Sequence, residues 1–122
     1  MITNVVVIDT ERIVDWASFH AVFAEAMGFP DFYGKNMNAW MDCMTYVDDP
    51  DAGMSKVTVE RPAVLTLQLE SVTEFADRCP DQLAALIDAV AFVNWRRIEQ
   101  GEPAVLTMSF YRSPPDRRPT SR

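Results

Sequence analysis

Three short runs of apolar, largely β-branched residues constrain the fold of this chain most: "NVVVID" at 4–9, "AVLTLQL" at 63–69 and "AVLTMSF" at 104–110. Each has the length and residue preference of a buried strand. Between them lie segments long enough to form helices. Strands joined by a helix's length of chain pair in parallel, because a tight turn cannot make a parallel connection. The expectation is an α/β domain, a small three-stranded parallel sheet packed against helices, with right-handed crossovers. The first run is nearly continuous in apolar residues, so its strand is expected to be covered on both faces.

The helices have their own signals. Asp15 or Ser18 is placed to cap a helix carrying Trp16, Phe19, Phe23 and Met27 at steps of three and four. Gly28 ends it, and Pro30 prevents its continuing. "SVTE" at 71–74 matches a capping box, so Ser71 is expected to start a short helix ending near Cys79. A longer helix follows from about Pro80 to Gln100, with an apolar stripe of Leu83, Leu86, Ile87, Val90 and Ile98. Arg96 and Arg97 lie at the negative end of its dipole, and Gly101 closes it. "VDDPDAGMSK", with Pro50 and Gly53, is expected to be a polar, solvated loop within an insertion at 48–60. Residues 1–111 are expected to form one domain. Residues 112–122, rich in proline and arginine and without an apolar side chain, are expected to be a disordered tail.

Composition narrows the function. The chain has 122 residues, 48% of them hydrophobic, enough for one real core. Its formal net charge of -7 disfavours nucleic acid and anionic membranes as partners, and favours a basic protein. No run approaches the length of a membrane span, and no basic region precedes the first apolar run. Cys43 and Cys79 are too few for a disulfide scaffold and are read as buried thiols in a reducing compartment, hence a cytoplasmic location.

Catalytic chemistry is sparse. His20 is the only histidine, and no Gly-x-Ser-x-Gly stretch is present. Cys43 lacks the basic or glycine-rich setting that activates a thiol. One histidine and two distant cysteines do not make an ordinary zinc site, and "DDPDAG" lacks the rest of a calcium loop. No glycine-rich phosphate loop occurs. Neither an enzyme nor a metal nor a cofactor is expected, and His20 is read as a structural or surface side chain.

The informative stretch is "FPDFYGKNMNAWMDCMT", residues 29–45. It predicts a helix over Asn36 to Tyr46. Met37, Trp40 and Met44 form one face, assigned to the core. Asn38, Met41, Asp42 and Thr45 form a second face that mixes an apolar group with a carboxylate and small polar groups. A solvated face with a stray methionine is the plain account. A docking face is the sharper one, in which apolar groups surround one desolvated charge. There Phe32, Tyr33 and Met41 exclude water around Asp42, Gly34 lets the backbone approach a partner, and Asn36 offers donors and acceptors.

The same stretch resembles the central segment of the barstar family, intracellular inhibitors of the secreted ribonuclease barnase. The match runs without a gap through Pro30, Asp31, Phe32, Tyr33, Gly34, Asn36, Asp42, Cys43 and Thr45. His20, with Phe19, Phe23 and Met27, resembles the family's first helix, and "ERPAVLTL" at 60–67 its second strand. The resemblance implies a barstar-like fold, a cis Arg61–Pro62 bond, and one-to-one binding of a basic ribonuclease. It implies that Asp42 takes the place of a substrate phosphate among the nuclease's basic side chains. It implies that Phe32 stacks on the nuclease's catalytic histidine, with Gly34, Asn36 and Thr45 as further contacts. Four positions depart from the family pattern. Asn38 replaces an aspartate, Met41 a tryptophan and Phe32 a tyrosine, and Arg96 aligns with an acidic contact. The function expected is an immunity or antitoxin-type ribonuclease inhibitor. The alternative is a barstar-like module recruited to a non-nuclease partner.

Overall fold

The computed structural model describes residues 1–112. Of the expected C-terminal tail at 112–122, all but Arg112 lies outside the described residues. Along the described chain run β1 (Val5–Ile8), α1 (Trp16–Met27), α2 (Met37–Thr45), β2 (Leu65–Leu69), α3 (Val72–Arg78), α4 (Pro80–Glu99) and β3 (Leu106–Phe110). Short 3-10 turns cover Thr10–Arg12 and Pro50–Ala52. The sheet order is β1-β2-β3, and both pairs are parallel. This is the α/β architecture that the three apolar runs predict. Among the described residues no helix is long and apolar enough to cross a membrane.

Register decides which face of the sheet meets the core. Val6 pairs with Leu67 and Leu67 with Met108, while Ile8 pairs with Leu69. With Leu65 and Leu106, these side chains line the inner face and pack with Phe19, Phe23, Trp40, Met44 and Leu86. The alternate positions, Val5, Val7, Thr66, Gln68, Thr107 and Ser109, share the opposite face. That corrects the expectation of a first strand covered on both sides: Val5 and Val7 remain about half exposed. The β2 and β3 residues beside them are polar, so this face meets water without a large apolar patch.

α1 begins with a reciprocal cap. The Ser18 amide donates to Asp15 Oδ1 at 2.8 Å, and the Asp15 amide donates to Ser18 Oγ at 3.0 Å. Gly28 ends the helix at φ +67, and a Cβ there would lie 2.7 Å from the Lys56 side chain, so both backbone and space require glycine. Trp16, expected on the core stripe, is partly exposed at the first helical position, where it meets Phe19 edge-on and stacks on His20. Ser71 precedes α3 as expected but makes no capping hydrogen bond, because its backbone is left-handed (φ 54). On α4, Leu86, Val90 and Val93 are buried, whereas Ile87 and Ile98 face outward. The buried slot in the last turn goes to Arg97, next to Ile98, because Arg97 has a buried acidic partner.

That partner is Asp48, in the segment expected to be a solvated loop. Its carboxylate accepts two hydrogen bonds from Arg97, at 3.1 and 2.6 Å, and pairs with Arg61 Nε at 2.9 Å. Val57, Thr58 and Val59 are also buried, and Thr58 bridges to Ile2 beside the sheet. Residues 49–53 are exposed, as expected of the loop, whereas Asp48 before them and Val57–Val59 after them are packed into the molecule. The Arg61–Pro62 peptide is cis.

Candidate functional site

The helix boundaries put the two predicted faces of α2 where the spacing placed them. Trp40 and Met44 are fully buried and Met37 is half-buried against the core. Cys43 is buried as well, and the low dielectric, with Asp42 beside it, pushes its thiol up to about 11. That is opposite to the shift an attacking thiolate needs.

The second face points outward. The Asp42 side chain is 62% exposed, and Asn38 is exposed one turn before it. Met41 is half-buried, packed toward α4. Thr45 closes the helix: its hydroxyl donates to the Met41 carbonyl at 2.6 Å. Phe32 is 74% exposed in the preceding loop, a large apolar ring held in water.

Two predicted contacts have structural duties. Asn36 caps α2, its side-chain oxygen accepting from the Ala39 amide at 2.8 Å. Its amide group donates to the Gly34 carbonyl at 3.4 Å, which tightens the turn before the helix. Tyr33, grouped at the sequence level with the water-excluding rim, turns inward instead. Its ring packs on Phe29, and its hydroxyl shares a 2.6 Å hydrogen bond with Nδ1 of buried His20. Burial raises the Tyr33 pKa beyond its ordinary range, with Cys43 adding to the effect, and burial lowers that of His20. The pair anchors the 29–36 loop to α1, so Tyr33 acts on the surface only through the loop it holds. Gly34 is exposed, but the left-handed residue of this turn is Lys35 (φ 56).

α4 completes the site with Arg96, the residue that the resemblance aligns with an acidic contact; its ties to α2 are what the sequence did not disclose. Arg96 Nη2 donates to Thr45 Oγ1 at 2.6 Å and stands 3.7 Å from Asp42 Oδ1. Its guanidinium also lies over the Phe92 ring, 5.4 Å from the centroid. The exposed carboxylate thus has a cation of its own chain beside it. Arg97, one residue on, donates to the Thr45 carbonyl at 2.8 Å and so fixes the C-terminal end of α2 to α4. Phe92 and Arg96 stand at i, i+4 on α4, the one sequence signal that they act together.

This arrangement suits recognition. An exposed carboxylate on a short, firmly held helix accepts bidentate hydrogen bonds from an arginine, and Phe32 offers a ring for stacking. No curated protein matches the chain. The family model described as "Barstar (barnase inhibitor)" matches residues 3–109, nearly the whole chain. The chain belongs to the barstar family.

Proposed function

We propose that this protein inhibits a ribonuclease by seating the α2 face over its active site, one molecule to one, inside the cell that makes both. The observation that carries this reading is the Asp42 carboxylate, exposed on a helix whose other face is locked into the core. RNA is a polyanion, so a site that binds its phosphates is basic, and a carboxylate there replaces one phosphate charge. Phe32, Gly34, Asn38, Met41 and Thr45 surround or flank that charge as contacts, and Asn36 sets the angle of the helix. Family membership and the net charge of -7 support the same reading.

The test is titration of barnase, the nuclease named in the family description, with the parent and with Asp42→Ala. The expected result is inhibition by the parent and a loss of several kcal/mol in binding for the variant. Truncated interface charges cost this much when they leave their partners buried and unpaired, as in the known barnase–barstar pair. Equal inhibition by both proteins overturns the assignment of Asp42.

A second reading is favoured by one specific feature. Arg96 beside Asp42 makes the face bipolar, which suits a partner that is not a uniformly cationic cleft. In that version the family scaffold serves a non-nuclease partner. Capture from the source cell of a non-nuclease that loses binding on Asn38→Asp or Thr45→Ala would support it.

A further inference from the structure

Between α2 and α4 lies an open groove lined by Met37, Met41, Ala85, Asp88, Ala89 and Phe92. Its volume of about 380 Å³ is at the small end for ligand sites. That is room for one long side chain and too little for a helix. Apart from Asp88 the lining is apolar. Asp88 is exposed and takes part in none of the ion pairs among the described residues. The complement of an apolar trough with one unpaired carboxylate is an aliphatic stem ending in a cation. The protein already shows half of this chemistry on itself, because Arg96 lays its guanidinium against Phe92 at the far end of the groove. Arg96 is held by Thr45 and lies eight residues, about 12 Å along the helix axis, from Asp88. It therefore leaves the Asp88 end open.

We propose that this groove receives a lysine or arginine side chain of the protein partner, its stem along Met37 and Met41 and its cationic head between Asp88 and the edge of Phe92. The proposal rests on the reading that the α2 face docks on a basic protein, and it extends that face onto α4. Met41 belongs to both. It precedes Asp42 in sequence and lines the groove, and Arg96, beside Asp42 and over Phe92, links the Asp42 face to the groove's far end. The acidic charge of the chain favours a basic guest. A guanidinium suits the site better than an ammonium, since it combines a carboxylate contact with stacking on a ring.

The test needs no nuclease, so its failure is separate from failure of the inhibitor reading. Protein carrying 13C-methyl methionine is titrated with N-acetyl-arginine methylamide and with the uncharged N-acetyl-norleucine methylamide. The expected result is a saturable shift of the Met37 and Met41 methyl signals with the arginine probe. It should weaken about two- to fivefold in Asp88→Asn, the scale of an exposed ion pair, and vanish in Ala85→Trp, which fills the groove. Asp88→Asn is a surface change, so it keeps the test sound if the tryptophan variant folds poorly. Equal shifts from the norleucine probe, indifference to Asp88→Asn, or no shift at either methionine overturns the proposal.

Discussion

Asp42 and Arg96 face each other across the boundary between two helices, and their separation says how they interact. At 3.7 Å, with the carboxylate mostly in water, the pair is a loose contact and not a clamp. Arg96 is held more firmly by Thr45, at 2.6 Å. The pair thus adds little to stability, and its consequence is electrostatic: it dilutes the negative field of the α2 face proposed to dock. Arg96→Ala is expected to lower unfolding free energy by about 1–2 kcal/mol, chiefly through the lost hydrogen bond to Thr45, and to speed association with a basic nuclease, since steering follows the summed surface charge. Stopped-flow mixing with barnase at low and high salt checks this. A slower association would mean that Arg96 itself meets an acid on the partner, as a reversed charge at a contact position allows.

The elements are held at the site by a buried charge pair more than by helix propensity. Asp48 and Arg97 are each almost wholly buried, and their bidentate contact joins the turn after α2 to the last turn of α4. Arg97 also donates to the carbonyls of Thr45 and Pro103, which ties the end of α2 to the approach to β3. Replacing such a pair by apolar groups can be harmless, but removing one partner leaves a buried charge uncompensated. Asp48→Ala is therefore expected to cost about 3–5 kcal/mol, read as a lower urea midpoint with little change in slope, and to weaken partner binding by loosening α2. Asp49→Ala, at an exposed neighbour, is the control. This network also marks where the sequence ceased to be legible. The strands, the cap at Asp15, the stop at Gly28 and the two faces of α2 follow from spacing and local chemistry, and the structure has them. Asp48 sits among acids and a glycine, local signals of a loop, and only the return of α4 across the molecule gives it a buried cation. Ile98 departs from its expected place for the same reason: periodicity favours the apolar residue, whereas the buried slot belongs to the arginine with a distant partner. Tyr33 stood beside exposed Phe32 in sequence, and only the fold brings His20 within reach of its hydroxyl.

At the scale of the whole molecule, buried titratable groups bracket the pH range in which this scaffold holds its site. His20 is buried with its pKa lowered from an ordinary 6.5, so the unfolded chain binds a proton more readily than the folded one. Its neutral form supports folding above the ordinary imidazole value, and stability falls as pH drops below it. Asp15, held low chiefly by Ser18, and Glu25, held low by Arg12, lose their contributions further down, in the carboxylate range. Cys43, raised from 9.0 to about 11, and Tyr33, raised from 10.0, have the opposite sign. Their support is complete below the ordinary values and is lost as the unfolded chain ionises first at alkaline pH. The expected profile is a plateau from about pH 7 to 9, with a first decline that begins as pH falls below the ordinary imidazole value of about 6.5. His20→Gln should flatten that first acid limb while leaving the carboxylate limb in place, and Tyr33→Phe should leave the acid limb in place while lowering the plateau by about 1–3 kcal/mol, because His20 loses its partner. Thermal melts of the three proteins across this range check the assignment. Since Tyr33 anchors the loop that carries Phe32, the acid limb should appear in partner binding too, as a faster dissociation below about pH 6.5 in the parent that is absent from His20→Gln.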